Sequence, residues 1–210
     1  MFISLLFSDW RLFASIGLFV VFSVCVHEYM HAYVALKMGD PTAADMGHLT
    51  LSPFKQMGII SLLLLLFLGI AWGQIPVNPQ NLPTRKQRLL VALAGVSGNL
   101  LLTLCFTVCG FLVLVWAPEN EFAVRMLLYG AVLNIVLLII NLMPVPGFDG
   151  FLIIREFIRF DRKSSRDLAN GTFFIIMMIM FFFIDKIYAA AEYIVGKLLL
   201  MLLYLRELAL

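Results

Sequence analysis

Two histidines and a glutamate lie close together in the sequence His27-Glu28-Tyr29-Met30-His31, within an otherwise apolar stretch at 12–36. On an α-helix, residues four positions apart stand on the same face, so both imidazoles can reach one metal ion while Glu28 lies beside it. Histidines with this spacing are typical zinc ligands, and the glutamate between them is typical of a general base that activates water. The spacing therefore predicts a hydrolytic zinc site carried by one helix.

The apolar setting of these side chains supports that prediction. A charged side chain near the middle of a bilayer costs about 2.5–3.5 kcal/mol, so ionisable groups within membrane segments usually have a functional role. The simpler alternative is a polar patch buried between helices without a metal. The HExxH spacing favours the metal site.

The composition indicates the class of protein. Hydrophobic residues make up 62% of the 210 residues and charged residues only 13%, which is far outside the range of soluble globular proteins. We predict an all-α polytopic membrane protein with five or six membrane segments. The net charge of +2 is too small to indicate nucleic-acid binding. Because the first apolar stretch carries the HExxH motif and no small-residue cleavage pattern follows it, we expect no cleavable signal peptide.

Apolar runs between polar breaks predict the membrane segments. They lie at 12–36, 57–73, 89–116, 124–143, 170–184 and 187–205. We expect a single domain at 1–210, with a catalytic core at about 12–160 and a C-terminal membrane hairpin at about 170–205. We expect no PDZ module, because no stretch is long and polar enough to form one.

The three cysteines, Cys25, Cys105 and Cys109, all lie in apolar segments. We expect them to be small buried hydrophobic residues. Cys25 is a weak candidate ligand, because the histidines already define the metal-binding face.

A hydrolytic zinc ion usually has three protein ligands and one open position, so another residue must complete the site. The candidates are Asp40, Asp45, His48 and Asp149. Asp149 follows segment 124–143 in a stretch where Pro144 and Pro146 end the helix and Gly150 follows the acid, so the chain turns back. Irregular backbone at membrane depth is tolerated where it is buried in protein or lines a wet cavity. Asp149 is therefore the preferred third ligand, with a solvated interfacial turn as the alternative.

These motifs resemble those of the site-2 protease family of intramembrane zinc metalloproteases, in its compact bacterial form without a PDZ domain. The resemblance depends on residues 26–32 for the HExxH helix, 141–150 for NxxPxPxxDG and 94–99 for AGPxxN. Shorter similarities occur at 39–43, 47–53 and 76–79, so the resemblance covers residues from about 20 to 160.

The resemblance implies one zinc ion per chain, held by His27, His31 and Asp149, with Glu28 as the catalytic base. It also implies that Asn141 lies near the substrate carbonyl, where it could donate a hydrogen bond to the developing oxyanion. The implied partners are a transmembrane protein substrate and the lipid bilayer, and a homo-oligomer is left open. The implied location is the bacterial cell membrane, with the active site toward the cytoplasmic side.

Two residues depart from the family pattern. Val96 replaces the usual proline of the AGPxxN stretch, which should alter the local helix geometry without removing a catalytic group. His48 stands where relatives commonly have a basic residue, so its contact with a lipid headgroup or with a loop could depend on pH.

Two asparagines remain in apolar helices. Asn134 is seven residues before Asn141 and therefore shares its helix face. For Asn99, the sequence leaves open interhelical hydrogen bonding and a role in positioning substrate.

The depth of the metal ligands constrains the topology. His27 and His31 lie toward the C-terminal end of the first helix, and Asp149 follows the C-terminal end of segment 124–143. The two helices must then run in the same direction, with an odd number of crossings between them. We therefore predict that segment 57–73, which is marginal in length for a core of about 30 Å, returns on the side where it enters or lies against the protein core.

The distribution of basic residues agrees with this topology under the positive-inside rule. Glu119 and Glu121 would face outward. The predicted cytosolic set is Lys37, Lys55, Arg85, Lys86, Arg88, Arg155, Arg159, Arg162, Lys163 and Arg166.

The predicted reaction is hydrolysis of a peptide bond in or near a transmembrane segment. An unwound substrate could add as a strand to an exposed edge, and residues 47–52 are a candidate edge strand, with a polar loop as the alternative. A non-proteolytic scaffold or a substrate-binding pseudoprotease of the same fold is the alternative function. A zinc transporter would need ionisable groups on both sides of the metal, and the sequence has one cluster.

Overall fold

The computed structural model describes the backbone of residues 4–158 and 162–209, and the side chains of residues 6–158 and 182–209. This part of the chain is helical and contains no strand, which confirms the predicted all-α class. Four of its helices are long and apolar enough to cross a membrane. The prediction of an edge strand at 47–52 is wrong, since these residues form a loop.

Nine α-helices occur in the described residues. They are α1 (Ser4–Ser8), α2 (Trp10–Lys37), α3 (Thr42–Asp45), α4 (Pro53–Gln56), α5 (Gly58–Leu68), α6 (Arg85–Trp116), α7 (Glu121–Asn141), α8 (Asp149–Arg155) and α9 (Arg162–Ala209). The chain divides into two compact units, Met1–Asn99 with Leu152–Phe157 and Leu100–Phe151 with Ile158–Leu210. The expectation of a single domain stays a prediction.

Helix α2 carries the HExxH motif. The side chain of Asp9 caps its first turn by accepting a hydrogen bond from the backbone N–H of Leu12, at 3.0 Å. Its 28 residues extend about 42 Å, which exceeds the hydrocarbon thickness of a bilayer. Its buried residues all lie between Ser23 and Ala35, around the motif. The apolar N-terminal half is therefore available to lipid, while the C-terminal half packs within the protein.

Segment 57–73 forms a short helix and a return. Helix α5 has 11 residues, about 16 Å, which is about half of a bilayer core. Gly69, with a positive φ of 76°, ends the helix and reverses the chain. The Ser61 hydroxyl then bonds both backbone groups of Trp72, and the N–H of Gln74 donates to the carbonyl of Gln56 at 3.0 Å. The segment returns to its own starting point, and its entry and exit on one side of the membrane stays a prediction.

The second unit has its core between α7 and α9. Ala131, Val132, Ile135 and Val136 of α7 form one buried cluster with Ala191 and Val195 of α9. Ala131 and Ala191 are completely buried, and small residues at such positions allow helix backbones to approach closely.

Two predictions about this unit differ from the structure. Cys105 and Cys109 are exposed, whereas Cys25 is buried as expected. A membrane protein presents apolar surface to lipid, so an apolar segment alone does not bury a cysteine. Helix α9 continues through Asp185 and Lys186, where we predicted the break of a hairpin. Both charged side chains are exposed and neither residue disrupts a helix. Four predicted cytosolic residues, Arg159, Arg162, Lys163 and Arg166, lie outside the residues whose side chains the structure describes.

Candidate metal centre

The two histidines of the HExxH motif converge on one point. His27 and His31 are one helical turn apart on α2, and both are buried. Their Nε2 atoms lie 3.1 Å apart, and their rings meet edge to face with centroids 4.7 Å apart. The predicted pairing of the two imidazoles on one helix face is present.

The other ring nitrogens identify the tautomers. His31 Nδ1 lies 2.7 Å from the backbone carbonyl of Val91, and His27 Nδ1 lies 2.7 Å from Asn99 Oδ1. Because these oxygens accept hydrogen bonds, each Nδ1 carries a proton and each Nε2 of a neutral ring presents a lone pair. The two lone pairs face each other across 3.1 Å and would repel unless a cation lies against them. Two imidazoles on one tetrahedral zinc have their nitrogens about 3.3 Å apart, so this pair fits the metal.

A glycine on α6 allows the two imidazoles to pack directly against the helix backbone. A side chain built at Gly95 would overlap the Nε2 atoms of both histidines. Val91, Gly95 and Asn99 are spaced four apart, so one face of α6 supplies two hydrogen-bond acceptors and, between them, a bare backbone on which the rings pack. The two facing Nε2 atoms and their spacing fit a zinc ion.

Glu28 lies beside the histidines and is 7% exposed. The return after α5 passes directly against it, because a Cβ at Gly73 would overlap Glu28 Cγ, Cδ and Oε1. The structure therefore brings together His27, Glu28 and His31, and it adds two glycines to which the sequence analysis gave no role.

Asp40 is committed to a structural role. It is completely buried, Oδ1 accepts from Thr42 and from Asn81 Nδ2 at 2.8 Å, and Oδ2 accepts from the backbone N–H of Asn78 at 2.8 Å. Burial acts to raise the pKa of Asp40, but the hydrogen bonds from Thr42, Asn81 and Asn78 outweigh it and hold the pKa below its ordinary value. Asp40 therefore ties the end of α2 to the segment before α6.

The remaining candidates of the first unit also have other environments. Asp45 ends α3 and is exposed. The backbone of His48 is fixed by its own N–H, which donates to Ala43, and by its carbonyl, which accepts from Gln56 Nε2 at 2.8 Å. These contacts explain the loop conformation without a metal.

Asp149 lies in the second unit, as the first residue of α8, and is 7% exposed. Helix α7 ends at Asn141, as the two prolines predict, and Gly147 adopts a positive φ of 102°. A Cβ at Gly150 would overlap the carbonyls of Leu142 and Met143, so this turn requires a glycine directly after Asp149. Asn141 itself is half-buried at the helix end. The roles of Asp149 and Asn141 stay predictions.

The two asparagines of the apolar helices have different partners. Asn99 is completely buried and accepts the hydrogen bond from His27, so interhelical hydrogen bonding is present. Asn134 donates to the carbonyl of Gly130, 2.9 Å away within its own helix.

Comparison with known proteins identifies the family. Residues 115–184 match Peptidase family M50. The chain is 35% identical over 173 residues to the Bacillus subtilis (strain 168) protein named "Putative zinc metalloprotease YwhC", covering 77% of each chain. Identity to the Mycobacterium tuberculosis (strain ATCC 25618 / H37Rv) protein named "Putative zinc metalloprotease Rip2" is 30% over 168 residues, covering 77% of this chain and 63% of the relative.

A protein of Mycolicibacterium smegmatis with the same name is 27% identical over 165 residues, covering 75% of this chain and 62% of the relative. The alignments thus span less than two thirds of the Rip2 proteins. No solved structure matches the chain. With a relative above 30% identity that is covered over most of its length, the chain belongs to peptidase family M50, the site-2 protease family.

Proposed function

We propose that this protein is a zinc-dependent endopeptidase that hydrolyses peptide bonds in or near the transmembrane segments of membrane proteins. The observation that carries the proposal is the pair of buried imidazoles with facing Nε2 atoms, next to Glu28, on a helix long enough to cross a bilayer. The relatives named as zinc metalloproteases support the same chemistry.

His27 and His31 would hold the zinc through Nε2, and Asp149 is the proposed third protein ligand. A carboxylate is an ordinary zinc ligand, and a catalytic site needs three protein ligands with one position open. Asp149 is supported by its burial and by the turn around it, which requires a glycine at position 150. The competing candidate Asp40 already accepts hydrogen bonds from Asn78 and Asn81.

We assign each step of the reaction to a particular group. Zinc, when bound, supplies a Lewis acid that polarises the scissile carbonyl and acidifies water. Glu28 accepts the proton of the attacking water and then delivers it to the leaving amine. Asn141 donates a hydrogen bond to the carbonyl oxygen as negative charge develops there, a contribution of about 3 kcal/mol.

The membrane location follows from the arrangement of apolar helices along the chain. Between α2 and α7 the sequence has one candidate span, α6, because α5 is too short to cross. If α6 is the single crossing, α2 and α7 run in the same direction, as ligands at one depth require. We place the active site toward the cytoplasmic side of a bacterial cell membrane, because Lys37, Lys55 and Arg85 cluster at the ends of segments on one side.

The test compares cells carrying the wild-type protein with cells carrying Glu28→Gln. The neutral amide has the shape of the carboxylate but cannot accept the proton, so cleavage fragments of membrane proteins should disappear while the purified variant keeps one zinc per chain. Unchanged fragments with a zinc-loaded variant would show that Glu28 is not the base. If the protein is a scaffold or a pseudoprotease, cells with the wild-type protein and cells with Glu28→Gln should contain the same membrane-protein fragments.

A further inference from the structure

We propose that Gly73 is a positioning residue for Glu28, and that the backbone of residues 72–74 forms a fixed wall against the side chain of the base. The proposal rests on the proposed role of Glu28. It assigns a function to the return after α5 that is separate from crossing or re-entering the membrane.

The wall is in direct contact with the base. A Cβ at Gly73 would overlap three consecutive atoms of the Glu28 side chain, Cγ, Cδ and Oε1. The backbone at Gly73 therefore approaches the carboxylate more closely than any other residue type would allow. No positive φ is present at this glycine, so the close approach is the reason for its lack of a side chain.

Hydrogen bonds hold the wall on both sides of Gly73. Before it, the Ser61 hydroxyl accepts from the N–H of Trp72 at 2.9 Å and donates to the carbonyl of Trp72 at 2.7 Å. After it, the N–H of Gln74 donates to the carbonyl of Gln56 at 3.0 Å. Ser61 is completely buried, so water does not compete for these bonds. The wall is thus fixed to α5 and to the end of α4.

The supports of the wall are themselves held in place. Gln56 is 1% exposed, and its side-chain amide donates to the carbonyls of His48 and Thr50. Farther along the return, the N–H of Asn78 donates to the buried carboxylate of Asp40 at 2.8 Å. The return is therefore anchored to α4, to α5 and to the turn that follows α2.

A fixed wall limits the rotation of the Glu28 side chain. A glutamate has three side-chain torsions, and a base must remain within about 2.6–3.2 Å of the proton that it accepts. Backbone packed on Cγ, Cδ and Oε1 excludes the rotamers that point toward the wall. The wall thereby reduces the number of positions that the carboxylate can take.

The first test uses Gly73→Ala and the matched control Gly17→Ala, both as purified full-length proteins. Gly17 lies on the same helix as Glu28, with no atom within 4 Å of an added Cβ. The probe is an internally quenched peptide that contains an apolar segment of about 20 residues. Gly73→Ala should keep one zinc per chain and its KM but lose roughly 100-fold or more in kcat, whereas Gly17→Ala should match the wild type.

The metal content separates this role from a general disturbance of the site. Gly95→Ala, which would overlap both Nε2 atoms, should lose zinc. Loss of zinc from Gly73→Ala as well, or full kcat in Gly73→Ala, would overturn the proposal. Ser61→Ala, which removes both hydrogen bonds to Trp72, should lower kcat with KM unchanged.

A second test does not depend on activity and so distinguishes a failure of the wall from a failure of the proposed function. In a background in which Cys25, Cys105 and Cys109 are replaced, the pair Glu28→Cys and Gly73→Cys should form a disulfide under mild oxidation, because the two side-chain positions are adjacent. The pair Gly17→Cys and Gly73→Cys should stay reduced. Equal oxidation of both pairs, or of neither, would refute the contact.

Discussion

His27 Nδ1 donates a hydrogen bond of 2.7 Å to Asn99 Oδ1, which joins the HExxH helix to α6 across 72 residues of sequence. Asn99 is completely buried. This hydrogen bond sets the tautomer and the ring plane of His27, and both determine where its Nε2 points. Outer partners of this kind typically change metal affinity or activity by 10- to 100-fold when they are removed.

Asn99→Ala should therefore weaken zinc binding by about 10- to 100-fold, because His27 loses the acceptor that orients its ring. The measurement is competition for zinc with a chelator of known affinity. Asn134→Ala is the matched control, since Asn134 is equally buried and its side chain donates to the carbonyl of Gly130 within its own helix. Equal effects of the two variants would mean that Asn99 acts on folding and not on the ligand.

Asp149→Ala should lower zinc content and activity together, because the loss of one of three ligands weakens the metal site. His48→Ala should retain zinc, since the contacts of its loop are made by backbone atoms. Metal analysis of the two purified variants decides between them. The reverse ranking would show that the third ligand was chosen wrongly.

The part of the site that could be predicted is the part encoded by side-chain type and spacing. His27 and His31 are recognisable because a helix places them on one face with Glu28 beside them, and the turn before Asp149 because prolines end helices. Gly73 and Val91 could not be found in this way, since they act through the backbone and their positions depend on how distant segments pack. The continuous α9 was missed because two adjacent charges look like a break in an apolar pattern, although an exposed helix face accommodates them.

Asp40→Asn should destabilise the protein at neutral pH by about 1–3 kcal/mol, because an amide replaces a carboxylate that accepts several buried hydrogen bonds. Since the pKa of Asp40 is lower in the folded protein than its ordinary value, its contribution is complete above the ordinary value and is lost as the pH falls through the lowered one. The difference in Tm between wild type and variant should therefore shrink as the pH falls below the ordinary pKa of an aspartate. Asp45→Asn, at an exposed position, should change Tm little at any pH. A gap that is constant with pH would contradict the ionised state of Asp40.

The return of segment 57–73 predicts that Lys55 and Arg85 lie on the same side of the membrane, because α5 is about half the thickness of a bilayer core and the chain reverses at Gly69. Both side chains are exposed, so single cysteines at these positions should react with a thiol reagent. In a background without Cys25, Cys105 and Cys109, both should be shielded from an impermeant reagent in intact cells and labelled after permeabilisation. A single cysteine at Glu119, which is predicted to face outward, should be labelled in intact cells. It is the control that the impermeant reagent reaches the outer side. If only one of Lys55→Cys and Arg85→Cys is labelled in intact cells, the segment spans, α2 and α7 run in opposite directions, and Asp149 cannot share the depth of the two histidines.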